Sequence, residues 1–573
     1  MDGGYKQAKE GFVSGMTGST ITHINLISLV ALSAVSLYAA LRTRIPATRE
    51  IGFFSSWMIL IFPMLLAMTM AANYPLYLNL FLLLPTGLIL RYPRTESGTP
   101  LPSSQPPSPS VQAHAPSHAR QRIQLQKIPP LPALTTYRAH MMLMTVLAIL
   151  AVDFPVFPRE LAKCETFGVS LMDLGVGSFV FSQGVVSAIP LVKDASYLQA
   201  PLFPKLLRVT WKSLPIIALG LLRVLLVKGT EYPEHVTEYG VHWNFFITLA
   251  VLPVLQVLLH PLLLRLPISM VGSLVGVVQQ IALSQLELRE YVVSAPRTSL
   301  VSANKEGIVS LLGYLSIQLL GLSAGTLILP PTPSFFRRRQ QALSNVQPEK
   351  DKRRNSNPPS PGFGVDQEGK DNFKRREVDL ASPRQLEKTA TELSAYAIMW
   401  WAFLGLARLT RVDGRWSEGM GVSRRMVNIS YILWVAAFNV SFLLCYLLIL
   451  DLWIFAHPPS RSKAKHHKKT DQNSEVSAAP AYLGISDPRQ LSTPAGSHGF
   501  GNPPKLLEVV NRHGLSVFLL ANVLTGLINL TMSTMYMSDW RALVILSLYS
   551  IVCCGAPWVW SSWRKGAGAK GVY

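Results

Sequence analysis

About thirteen runs of mostly apolar residues recur along this chain, many of them near the ~20 residues that a helix needs to cross ~30 Å of hydrocarbon. They lie near 24–42, 52–72, 75–91, 137–153, 168–190, 210–227, 243–259, 262–283, 306–329, 391–407, 427–455, 514–534 and 541–561. A backbone inside lipid must satisfy its own hydrogen bonds, and segments of this length do so as α-helices. The expectation is an all-α polytopic membrane protein with about thirteen transmembrane helices and long disordered cytosolic loops. Composition agrees: 49% of the 573 residues are hydrophobic and 15% are charged, against ~25% charged in a soluble chain. The polar stretch before the first run lacks a basic region and a small-residue cleavage site, so no cleavable signal peptide is expected. Four cysteines, Cys164, Cys445, Cys553 and Cys554, are too few for a disulfide framework and read as small apolar packing residues.

The net charge of +21 is concentrated in loops: RRRQ at 337–340, KDKRR at 350–354, KRR at 374–376 and RSKAKHHKK at 461–469. That placement points to lipid headgroups rather than nucleic acid. The basic connections fall mostly on one side of the membrane, which predicts a lumenal N-terminus and a cytosolic C-terminus. The connection holding Arg408, Arg411, Arg415, Arg424 and Arg425 is the exception. The chain divides into 1–92 with the first spans, a loop at 93–135, a central core at 136–330, a loop at 331–390, two spans in 391–456, a loop at 457–512, and the last spans with a tail in 513–573.

Ionisable groups at a bilayer boundary are costly, so they mark candidate sites. The densest block is AVDFPVFPRELAKCETFGVSLMDLGVGSFVFSQ at 151–183. Pro155 and Pro158 disfavour helix at Phe154 and Phe157, ending a span at Asp153, and Pro158 can start a short helix over PRELAKCETF. A reversal there can bring Asp153 and Lys163 together, and such a pair suits proton transfer to or from a hydroxyl. The alternative is an aspartate capping a turn and a lysine reaching for headgroups. Asp173, among Gly168, Gly175 and Gly177, faces protein or a wet cavity, with a packing acid as the alternative. Segment 231–246 supplies His235, Glu238, Tyr239, His242 and Asn244 as candidate substrate contacts, interfacial anchoring being the other reading. No metal-binding spacing supports a metal. Asn304 and Lys305 open another span as candidates for phosphate or sugar, and Arg223 needs an anion or a wet cavity. Sequons at Asn428, Asn439 and Asn529 carry no glycosylation argument, the last two lying inside spans. There is no Walker A sequence, no GxSxG nucleophile elbow and no GxGxxG in strand–helix context.

Several blocks together resemble the GPI-anchor inositol acyltransferases, also called GPI-anchored wall transfer proteins. They are KEGFVSGMTGSTITHIN (9–25), ILAVDFPVFPRELAKCETFGVSLMDLGVGSFVFSQG (149–184), GLLRVLLVKGTEYPEHVTEYGVHWNFFITL (220–249), SANKEGIVSLLGY (302–314), SRRMVNISYILWV (423–435) and GLSVFLLANVLTGLINLTM (514–532). The resemblance implies an endoplasmic reticulum enzyme with acyl-CoA as co-substrate and no cofactor. It implies transfer of a fatty acyl group, usually palmitoyl, to the inositol hydroxyl of glucosaminyl-phosphatidylinositol. It also implies that Asp153 and Lys163 act as a catalytic pair. Partners are then the two substrates and membrane lipids, and no nucleic acid. A proton-coupled secondary transporter and a non-catalytic scaffold are the competing readings of acids and a lysine among many spans.

Overall fold

In the computed structural model, residues 8, 11–12, 14–46, 49–93, 128–228, 236–344, 380, 384–410, 421–454 and 503–570 are described. Most of the three expected loops, and His235, lie outside them. Among the described residues the regular structure is helical, with no strand. The protein is an all-α polytopic membrane protein.

The helices that matter are α1 (Ile21–Arg42), α2 (Phe53–Ala67), α3 (Pro75–Arg91), α4 (Pro132–Ala151), α5 (Leu171–Lys193), α6 (Leu202–Lys228), the single turn α7 (Val236–Tyr239), α8 (Phe245–Leu258), α9 (His260–Arg265), α10 (Ile268–Gln285), α11 (Lys305–Ile328), α12 (Leu386–Leu409), α13 (Ile429–Tyr446), α14 (Lys505–Arg512), α15 (Gly514–Thr531) and α16 (Asp539–Lys570). Eight of them, α1, α4, α5, α10, α11, α13, α15 and α16, are long and apolar enough to cross a membrane; α2, α3 and α8 are apolar but shorter. The run expected at 262–283 is split, because Leu266 precedes Pro267 and takes an extended conformation between α9 and α10. Helix also occupies 335–344 and Lys505–Arg512, stretches expected as loop. Phe335, Phe336, Leu506 and Leu507 are buried there, which gives those segments a packed face.

Small residues set the tightest packing. Gly184 of α5 lies on the Gln318 backbone of α11, while Gly321 and Gly325 of α11 lie on the Phe181 and Val185 carbonyls of α5. Without side chains at these positions the two backbones approach as close-packed membrane helices do. Buried polar groups are paired between helices: Tyr137 donates to Asn439 Oδ1 at 2.6 Å, and Gln318 Nε2 donates to Gln256 Oε1 at 2.6 Å. The surface is apolar where lipid would lie, with Tyr77, Phe81, Leu84 and Leu88 exposed on α3.

A Cβ at Gly321 would collide with the Phe181 carbonyl, whereas Gly526 has open space around it. Overpacking of this kind costs ~1–3 kcal/mol. Gly321→Ala is therefore expected to lower the melting temperature of detergent-purified protein by several degrees, and Gly526→Ala to leave it unchanged; equal melting temperatures for both variants would contradict the packing described.

Candidate active site

The chain leaves α4 through successive backbone turns. Asp153 N–H donates to the Leu150 carbonyl at 3.1 Å, Phe154 N–H to Ala151 at 3.0 Å and Phe157 N–H to Phe154 at 3.2 Å. The rings of Phe154 and Phe157 are wholly buried and anchor the reversal. The short helix expected after Pro158 shrinks to a 3₁₀ turn at Arg159–Leu161. Two interactions take the backbone elsewhere. The Arg159 guanidinium donates back to the carbonyls of Phe154 (3.1 Å) and Phe157 (2.8 Å), and Cys164 N–H donates to Asp173 Oδ2 at 3.0 Å. Burial pushes Arg159 down to about 10, opposed by the nearby Asp153 carboxylate. Asp153 itself is 1% exposed, and its Oδ2 accepts a hydrogen bond from Asn529 Nδ2 of α15 at 2.8 Å. The Thr534 hydroxyl donates to Asn529 Oδ1 at 3.2 Å, which fixes the orientation of that amide.

Asp153 and Lys163 are expected from sequence to touch; the structure gives each a different immediate partner. Because residues after Leu161 are extended instead of helical, Lys163 is carried toward α7, where its ammonium meets Glu238 Oε1 at 2.8 Å and Oε2 at 2.9 Å. Lys163 is 33% exposed and Glu238 15%, so the pair is open to a ligand. A pair this accessible adds only ~0.2–1 kcal/mol to stability, and its chief effect is orientation.

Asp173 is fully committed. Ser170 caps α5 by accepting from Asp173 N–H at 3.1 Å, which places the carboxylate at the first turn. Its Oδ1 accepts from Arg424 Nε at 2.5 Å, its Oδ2 takes the Cys164 amide, and its carbonyl accepts from the Tyr431 hydroxyl at 2.6 Å. Arg424 stands over the buried ring of Tyr239 at 5.7 Å. Burial would lower the Arg424 pKa, but the carboxylates of Asp173 and Glu238 outweigh it and hold the guanidinium charged. Lys163, Asp173, Glu238 and Tyr239 are thus brought into one cluster, with Arg424 at its centre. Burial, together with Asp173, pushes the Cys164 thiol well up, which disfavours the thiolate.

The remaining candidates shape the arm that carries Glu238. Asn304 Oδ1 accepts from the backbone N–H groups of His242 (2.8 Å) and Trp243 (3.0 Å). Gly240, at φ 121°, lies against Asn304, and a Cβ there would clash with that backbone. Asn244 caps α8 through Ile247 N–H at 3.2 Å and ties it to the Gly220 carbonyl at 2.8 Å. Lys305 Nζ donates to the Ala295 carbonyl at 2.5 Å. The His242 side chain is exposed, and Arg223 sits exposed on α6, making no ion pair among the described residues. Sequence reading missed Arg424, which appears there only as loop charge, and Asn529, which appears only as a sequon inside a span.

Residues 5–560 match the GWT1 family. The GPI-anchored wall transfer protein 1 of Aspergillus fumigatus is 36% identical over 97% of this chain and 97% of its own length. Those of Cryptococcus neoformans var. neoformans serotype D (97% of this chain, 98% of its own length) and Yarrowia lipolytica (96% of each) are both 34% identical. A match across the whole membrane core, including the turn at Asp153 and the loop at Arg424, makes this chain a member of the GWT1 family.

Proposed function

We propose that this protein is a membrane O-acyltransferase that moves a fatty acyl chain, palmitoyl, from acyl-CoA to an inositol hydroxyl of glucosaminyl-phosphatidylinositol. In this reading it works in the endoplasmic reticulum membrane, with its N-terminus lumenal and its C-terminus cytosolic. The names of the relatives, which tie them to GPI-anchored proteins, support the substrate class. The observation that carries the chemistry is that one folded segment, 152–170, holds a buried carboxylate, Asp153, and an accessible ammonium, Lys163, at the same end of an apolar bundle.

An inositol hydroxyl is a weak nucleophile at neutral pH and needs a base as it attacks. Asp153, oriented by Asn529, takes the proton while the hydroxyl oxygen bonds to the thioester carbonyl carbon. The resulting oxyanion is stabilised by the Lys163 ammonium. When the carbonyl re-forms, the carbon–sulfur bond breaks and the proton passes from Asp153 to the departing thiolate. An ammonium held 2.8 Å from Glu238 suits charge stabilisation better than proton abstraction. Tyr239 and His242, on the same arm as Glu238, together with His235 of the same sequence segment, receive the sugar and phosphate. Asp173, Asn244, Asn304 and Lys305 hold that arm and segment 159–170 in place, and Arg223 contributes charge at the periphery.

The test is purified protein with labelled palmitoyl-CoA and glucosaminyl-phosphatidylinositol. Asp153→Asn and Lys163→Ala are each expected to lower kcat by ~10²–10⁴-fold while remaining folded. Full activity in both variants would remove this mechanism, and substrate movement across vesicles without acyl transfer would favour a carrier. Glu238→Gln, which deprives Lys163 of its partner, is expected to lower kcat by ~10–10²-fold with KM little changed. A rise in KM at constant kcat would instead make Glu238 a substrate contact.

A further inference from the structure

Asp153, Asp173 and Lys305 stand at one end of the bundle, at the C-terminus of α4 and the N-termini of α5 and α11. The opposite ends of these same helices, together with α14, enclose a separate cavity of about 310 Å³. Leu134, Ile189 and Leu329 form apolar walls, and Thr135, Arg138, Lys193 and Asn511 supply the polar side chains. Neither Arg138 nor Lys193 makes a hydrogen bond or ion pair among the described residues, and Arg138 Nε is buried without a partner.

The surroundings add a further cation. Arg384 reaches the cavity wall and donates to the carbonyls of Pro129 (2.5 Å), Pro130 (3.3 Å) and Leu329 (3.3 Å). None of the acids in this part of the fold lines the cavity among the described residues. Asp194 accepts from Ser196 Oγ at 2.5 Å, Glu508 pairs with Arg512 at 2.7 Å, and Asp451, the acid acting on Arg384, accepts from Ala133 N–H at 3.2 Å. Arg138 is half-buried and Lys193 exposed; a half-buried cation without an anion is costly, and a ligand anion offsets that cost.

We propose that this cavity binds the phosphate head of an anionic membrane phospholipid, with Arg138 and Lys193 contacting the phosphate. Basic pockets between helices at the end of a membrane bundle recognise such heads. The apolar walls suit the start of the acyl chains, and among the described residues no aromatic side chain lines the cavity to stack a nucleotide base. The site is independent of the acyl-transfer reading, since it shares no residue with it.

The test is equilibrium binding to delipidated full-length protein in neutral detergent. The probes are dihexanoyl-phosphatidate, dihexanoyl-phosphatidylcholine, inorganic phosphate and coenzyme A. Phosphatidate is expected to bind saturably and at least ~10-fold more tightly than the other three. The double variant Arg138→Gln/Lys193→Gln is expected to lose at least ~10-fold in affinity, Arg138→Lys to stay within ~3-fold of wild type, and Lys388→Gln, in a different cleft at the same end, to bind like wild type. Unchanged binding in the double variant overturns the proposal. So do equal affinity for phosphatidylcholine, loss of binding in Lys388→Gln, and tighter binding of coenzyme A or free phosphate than of phosphatidate. A fall in affinity matched by loss of folded protein in both Arg138→Gln/Lys193→Gln and Arg138→Lys assigns the arginine a structural role and also overturns it.

Discussion

The ion pair between Asp173 and Arg424 is the contact on which the polar end of this bundle depends. Both side chains are almost wholly buried, at 1% and 2% exposure. Such a pair gains little net stability, because desolvating two charges nearly cancels their attraction. Removing one partner is another matter, costing ~3–5 kcal/mol by stranding the other charge. The specificity it confers is positional. Through Asp173 it ties the start of α5 to the amide of Cys164, and through Arg424 it brings in the loop before α13. That loop adds its own hydrogen bonds to the same segment, from Gly168 N–H to Val422 and from the Ser423 hydroxyl to Thr166. Val427 within it takes φ 47°, a conformation that costs a β-branched residue ~1–3 kcal/mol, and Asn428 beside it caps α13. The non-helical segment 162–170 is thereby held in place, and Lys163 faces Glu238 because of it.

Much of the scaffold was legible in the sequence for a simple reason: lipid imposes length and apolarity on every span, and both are visible residue by residue. Local rules also carried far. Pro155 and Pro158 end α4 near Asp153, whereas the caps at Ser170 and Asn244 emerge only in the structure. What sequence could not supply was partner choice. Glu238 is 75 residues from Lys163, Arg424 is 251 from Asp173 and Asn529 is 376 from Asp153. No periodicity encodes such pairings. The lost helix after Pro158 has the same origin, since the Cys164 amide is drawn to an acid on another element. Helix at Lys505–Arg512 was missed because charged and apolar residues alternate there around one buried face.

The two ends of the bundle differ in kind. At one end, opposite charges meet within hydrogen-bonding distance, and the half-buried pair of Lys163 and Glu238 is its more accessible part. At the other, Arg138 and Lys193 face a cavity that no carboxylate lines among the described residues. A balanced site suits chemistry in which charge appears and vanishes during turnover, whereas an unbalanced one suits holding a permanent anion. The close contact of α5 with α11 runs between these ends and fixes their separation.

The most direct measurement of the central claim is amide hydrogen exchange across residues 159–170 in wild type and in Arg424→Gln. If the buried pair holds this segment, the variant exchanges there at least ~10-fold faster while α5 and α11 keep their protection. Exchange across 159–170 that matches wild type would mean that the segment is held by something other than Asp173 and Arg424.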